Sequence, residues 1–237
     1  MGETFRWPAH RGRSQGRSIV DLYQYFVTQT ERNIVKCVHY FAIYERHFAR
    51  FRDNPITMFE IGTGEGGSCR MWKQYFGPMC RIVTLDIADK KQFEEKQIFV
   101  RTGDQSDPKF LKSLLDEFGA PDIVLDDGSH LMPHINASFD VLFPAMRAGT
   151  YLVEDLDGAY RPDKGGGLHS PESFVERAKS LVDEMNAVHT RGQLKPSIYG
   201  KGLFGIALYQ SVVVLEKTPF LNTQMIRRPT PLPARAP

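Results

Sequence analysis

From Thr57 onward, short apolar runs alternate with segments whose apolar positions recur every three or four residues, and this alternation dominates the chain. TMFEIG reads as a first strand, CRIVTLDI as a second, KQIFVRTGD as a third, PDIVLDD as a fourth and TYLVEDL as a fifth. Between them SCRMWKQYF, DPKFLKSLLDEFG and HINASFDVLFPAMRAG carry helical spacing. Strands and helices alternating at this interval predict right-handed βαβ units and a parallel sheet.

A polar glycine-rich loop, PDKGGGLHSP, and a long helix, ESFVERAKSLVDEMNAVH, come next. LFGIALYQSVVVLEK then offers two apolar runs about Tyr209-Gln210-Ser211 that suit an antiparallel hairpin at the sheet edge. The fold class is therefore α/β: a Rossmann-like, doubly wound, mostly parallel seven-stranded sheet ending in an antiparallel hairpin, the plan of class I methyltransferases.

Before the sheet, Ile19, Leu22, Tyr23, Phe26, Ile34, Val35, Val38, Phe41, Ala42 and Phe48 recur at helical steps. Residues 18–52 thus read as helix up to Asp53-Asn54-Pro55, with the aromatic stripe packing on the flank of the domain. The expected organisation is a flexible tail over 1–17 and a single domain over 18–226. Within that domain 18–54 is a helical segment and 55–226 the core, and a disordered proline-rich tail covers 227–237.

Composition narrows the function classes. Hydrophobic residues are 41% and charged ones 24% of 237 residues, the balance of a globular domain, and no apolar run approaches the roughly 20 residues a membrane-spanning helix needs. The first residues are arginine-rich but lack the apolar core of a secretory signal, so a cytoplasmic location is expected. Cys37, Cys69 and Cys80 form neither a CxxC pair nor an even disulfide set. The formal charge of +2 and the scatter of basic residues argue against a nucleic-acid partner.

Candidate chemistry begins at FEIGTGEGGS, residues 59–68. Glycines there, including Gly62 and Gly64, let a ligand approach the backbone where a strand gives way to a helix. Asp86 closes the second strand, where a carboxylate accepts ribose hydroxyls. Glu60 precedes the loop inside its strand; it would repel a pyrophosphate and suits the cationic sulfonium of S-adenosylmethionine. Asp104, with Gln105 and Ser106 beside it, is placed to meet an adenine amine. The competing role for Asp104 is a helix cap, for which Ser106 or Asp107 before Pro108 is better placed. Cys69 and Trp72 read as packing between helix and sheet.

A parallel sheet also brings Asp126, Asp127, His130, Glu154 and Asp155 to the same edge as the glycine loop. Carboxylates this close repel one another, a divalent cation relieves them, and oxygen-rich ligands favour Mg2+. Such an ion could hold two neighbouring oxygens of a substrate while His130 removes a hydroxyl proton, leaving an in-line methyl transfer. His134, four residues on, would make a His130/His134 helical pair suited to zinc or iron, but acids outnumber histidines here. His169 reads as exposed.

The run VKCVHYFAIYERHFARFRDN, then FEIGTGEGGSCRMWKQYF, TLDI, GDQSDPKFL, DIVLDDGSH and YLVEDL, in that order, resembles the metal-dependent sugar O-methyltransferases of antibiotic biosynthesis. The resemblance implies S-adenosylmethionine- and Mg2+-dependent methylation of a hydroxyl on a sugar or polyol of a glycosylated natural product. It implies Asp127, Glu154 and Asp155 as metal ligands and His130 as general base. Glu60, Gly62, Ser68, Asp86 and Asp104 fall at cofactor-contact positions, with Asp126 as a cofactor or supporting candidate. A homo-oligomer is expected. Two other classes remain open: an oxygenase of the cephalosporin hydroxylase type, needing a redox metal, and a non-catalytic cofactor-binding module.

Overall fold

The computed structural model describes residues 21–219, so the arginine-rich start and the proline-rich end of the chain lie outside the described residues. Seven strands form one sheet in the order β3-β2-β1-β4-β5-β7-β6. They are β1 Thr57–Ile61, β2 Arg81–Asp86, β3 Ile98–Thr102, β4 Ile123–Asp126, β5 Gly149–Val153, β6 Leu203–Tyr209 and β7 Val212–Lys217. The first five run parallel, and β7 pairs antiparallel with both β5 and β6. The expected plan is thus present, hairpin included.

Strands buried on both faces read as near-continuous apolar runs, and β1, β4 and β5 are buried throughout, their polar residues lying mostly at the strand ends. Alternate residues feed two cores. Phe59, Val83, Val124 and Tyr151 face a core shared with α4 (Pro108–Phe118), α5 (Met132–Ala145) and α6 (Phe174–Met185). Met58, Ile82, Ile123 and Leu152 face the opposite core, with α2 (Tyr40–Phe48) and α3 (Gly67–Phe76). No helix among the described residues is long and apolar enough to cross a membrane.

The amino-terminal helix expected over 18–52 is broken in two. The described part of α1 is Leu22–Thr28, capped by Asp21, whose side chain accepts from the Tyr23 and Gln24 amides; helix resumes only at Tyr40. Gln29 leaves the helix with extended geometry, and its side-chain oxygen accepts from the Glu31 and Arg32 amides, closing a turn. The apolar spacing that suggested helix is not a buried stripe here, since Val35 is 89% and Val38 55% exposed.

Candidate active site

Parallel strands all present their carboxyl ends to one side, and ligands of such sheets bind there. At that edge Gly62, following β1, takes φ +95°, a conformation reserved for glycine, and any Cβ would strike the carbonyl oxygen of Asp127 after β4. The two loops are therefore in backbone contact. Asp86, ending β2, organises the glycine loop from the other side: Oδ2 accepts from the Thr63 amide at 3.1 Å and the Gly64 amide at 3.3 Å, and Oδ1 from Ala88 at 3.0 Å.

A cavity of about 220 Å3 opens beside them, lined by Gly62, Asp86, Ile87, Asp104, Gln105, Ser129 and His134 among others. Asp104 accepts from the amide and hydroxyl of Ser106, both at 2.7 Å, which hold its carboxyl below the usual range. The cap of α4 is Asp107, bonded to the Lys109 amide. Of the residues expected to touch the cofactor, Gly62, Asp86, Asp104 and Gln105 line this cavity, and Gly64 is open above α3.

The other three expected cofactor residues lie lower. Glu60 is fully buried and receives Trp72 Nε1 at 2.9 Å and Cys69 Sγ at 3.1 Å, with Ser68 next to Cys69 in the first turn of α3. Cys69 and Trp72 thus pack the helix as expected and also satisfy a buried carboxylate. Burial raises the Glu60 pKa, against the charge of Lys36 and these donors. Asp126 is buried under the loop, held by Ser138 Oγ at 2.6 Å and Gln105 Nε2 at 3.1 Å. Burial, opposed by those donors, pushes its pKa up to about 7. The same Gln105 accepts from the Ser129 amide at 2.7 Å, so Asp126 fixes the Gly128-Ser129 turn from beneath.

The acidic cluster assembles across β4 and β5, where the Glu154 amide donates to the Asp126 carbonyl at 3.1 Å. Ligand atoms of Asp127, His130 and Asp155 all lie within 4.8 Å of one another, with His130 Nε2 at 3.9 Å from Asp127 Oδ1. His130 and Asp155 both take left-handed backbone at φ 56°, a conformation that histidine and aspartate adopt more readily than most non-glycine residues. His130 precedes α5, so it does not share a helical face with His134, which faces the cavity beside Asp104. His169 is exposed in its loop, as expected.

Asp127, His130 and Asp155, half-buried, could together hold a metal ion, and the two carboxylates offer the oxygen ligands that suit a hard divalent cation. Glu154 is more enclosed, only 1% exposed; Oε1 accepts from Lys36 Nζ and Oε2 from the Tyr44 hydroxyl. Lys36 Nζ also donates to Asp127 Oδ2. Burial alone would lower the lysine's pKa, but the Glu154 and Asp127 charges carry it above its ordinary value.

Lys36, Tyr40 and Tyr44 escaped the sequence reading. The two tyrosines lie in the helical segment but outside the apolar positions that mark its stripe, and their rings join the core. Their hydroxyls nonetheless end on Asp155 and Glu154. A polar tip repeated at i and i+4 within a buried stripe was the available signal. Lys36 gave none, because its partners lie 91 and 118 residues away.

No protein-family model matches the chain. Among curated relatives, 8-demethyl-8-(2-methoxy-alpha-L-rhamnosyl)-tetracenomycin-C 3'-O-methyltransferase of Streptomyces olivaceus is 37% identical over 193 residues, 76% of this chain and 49% of the relative. Mycinamicin VI 2''-O-methyltransferase of Micromonospora griseorubida is 36% identical over 194 residues, 76% and 48% respectively. The solved structure of MycE methyltransferase from the mycinamycin pathway, in complex with Mg, SAH and mycinamycin VI, superposes with a TM-score of 0.74. It is 34% identical and covers 87% of this chain and 55% of that one. The chain spans about half the length of the curated relatives it matches. It is a homologue of the macrolide and tetracenomycin sugar O-methyltransferases, with the Rossmann-like fold of class I methyltransferases.

Proposed function

We propose that the protein is an S-adenosylmethionine- and Mg2+-dependent O-methyltransferase acting on a hydroxyl of a sugar or polyol in a glycosylated natural product. The observation that carries this reading is the meeting of two sites at one sheet edge. Gly62, between the cavity and Asp127, brings a pocket lined by Asp86 and Asp104 against the Asp127, His130 and Asp155 cluster. The homologue in complex with Mg, SAH and mycinamycin VI supports the same pairing.

In this reading S-adenosylmethionine supplies an electrophilic methyl group and Mg2+ a charge that acidifies a nearby hydroxyl. Asp86 accepts the ribose hydroxyls and Asp104 the adenine amine, while Gly62 and Gly64 keep the loop free of side chains. Gln105, bonded to Asp126, fixes the Gly128-Ser129 turn from below, Glu60 holds the Cys69 and Trp72 side chains of α3, and Ser68 meets the cofactor where the glycine loop enters α3. Asp127, Glu154 and Asp155 hold the cation, and His130 Nε2 accepts the proton of the acceptor hydroxyl. Positioning and a deprotonated nucleophile suffice for in-line transfer.

The test is an anaerobic assay with Mg2+ and labelled S-adenosylmethionine over a panel of rhamnosylated and deoxysugar-bearing acceptors. Methyl transfer that His130→Ala lowers by about 10² to 10⁴, with cofactor affinity kept, is the expected result. Oxygen-dependent hydroxylation instead would assign the cluster to an oxygenase. Cofactor binding without turnover on any acceptor would leave a binding module.

A further inference from the structure

The acidic centre already holds a cation of its own. Residues 29–39 form neither helix nor strand but a strap across the glycine loop. A Cβ on Gly67 would strike the Asn33 carbonyl and Ile34, and Arg32 Nη1 donates to the Gly66 carbonyl at 3.4 Å. Val35 and Cys37 face solvent, yet the side chain of Lys36 between them is only 3% exposed and ends on Asp127 and Glu154. Two of the three carboxylates proposed to hold the divalent ion are thus the two that hold the ammonium.

Like charges sharing one set of carboxylates in a poorly solvated site repel strongly. Both Glu154 oxygens already accept a hydrogen bond, the first from Lys36 and the second from Tyr44. We propose that Lys36 is a tethered competitor for the cation site: it sets the divalent-ion affinity, and the ion's arrival on Asp127 and Glu154 withdraws the ammonium and loosens the strap. This rests on the cation-binding part of the function proposed above. Because the strap also lies on Gly66 and Gly67, its release connects cation binding to the cofactor loop.

The test needs no acceptor substrate. Mn2+ binding to the whole chain is measured by titration calorimetry for the natural protein and for Lys36→Met, and amide exchange over residues 33–38 is followed with and without Mn2+. At least tenfold tighter Mn2+ binding by Lys36→Met is expected, together with several-fold faster strap exchange in the natural protein when Mn2+ is bound. Equal or weaker binding by the variant, or a strap whose exchange Mn2+ leaves unchanged, overturns the proposal. If Lys36→Met fails to fold, strap exchange in the natural protein decides alone. Absence of Mn2+ binding from both proteins defeats the cation reading and this proposal together. Mn2+ binding without methyl transfer defeats only the proposed activity.

Discussion

The phenolic hydroxyl of Tyr40 donates to Asp155 Oδ1 at 2.6 Å, and the backbone amide of Asp155 donates back to that phenolic oxygen at 3.3 Å. One side chain from α2 thereby fixes both the carboxylate and the left-handed backbone of a residue after β5. Burial and the Asp155 charge raise the Tyr40 pKa, so the phenol stays a donor.

Tyr40→Phe keeps the ring and removes only this clamp. A hydrogen bond to a charged group contributes about 1.5–3 kcal/mol. If that is expressed at the reacting centre, kcat falls by about tenfold or more while the cofactor KM stays near its natural value. Steady-state kinetics with S-adenosylmethionine varied at saturating Mg2+ read this split; an unchanged kcat would make the bond a packing detail.

Two glycines of one loop should respond unequally to alanine. At Gly62 a methyl group collides with the Asp127 carbonyl, so Gly62→Ala must shift either the cofactor loop or the metal-ligand loop. At Gly64, with φ +52°, a methyl group meets nothing within 4 Å, leaving only the left-handed backbone cost of about 1–2 kcal/mol. Binding of S-adenosylhomocysteine by calorimetry should be lost in Gly62→Ala and weakened by about tenfold or less in Gly64→Ala.

The sheet was legible because strands buried on both faces have to read as apolar runs, and the glycine loop and its acids sit at strand ends that periodicity locates well. The strap was not. Ile34, Val35 and Val38 have helical spacing, but spacing does not report exposure, and at Val35 and Val38 the side chains face solvent. Lys36 belongs to the site through contacts made only once β4 and β5 are in place. Asp126 was legible as a charge at a strand end but not as a buried one, because neighbouring strand residues point to opposite faces and its Ser138 and Gln105 partners meet it only once α5 and the loop after β3 are packed on the strand.

Buried Glu60 depends on Trp72 for a donor. Trp72→Phe preserves most of the edge-to-face contact with Tyr44 and Phe48 and the stacking on Phe76 but strips the 2.9 Å bond from a carboxylate that water does not reach. A loss of about 1.5–3 kcal/mol in stability is expected. Adding Glu60→Gln, which removes the charge left short of donors, should recover part of it. Urea unfolding of the two single variants and the double variant measures the coupling directly.

The last relationship lies at the far end of α2, where Glu216 on β7 accepts from Arg50, from His47 Nδ1 at 2.8 Å and from Thr150 Oγ1 at 3.2 Å. Burial raises its pKa, but the hydrogen bonds and charges of His47 and Arg50 outweigh that and hold it below the ordinary value. A carboxylate depressed on folding adds stability above its unfolded pKa, and that stability is lost as pH falls through the lower folded value. The contribution is about 1 kcal/mol or less, because solvent screens a pair whose arginine is half exposed. Glu216→Gln should therefore lower the urea midpoint near neutral pH and flatten its decline below the usual carboxylate range. Parallel acid limbs for the variant and the natural protein would show that the cluster contributes packing alone.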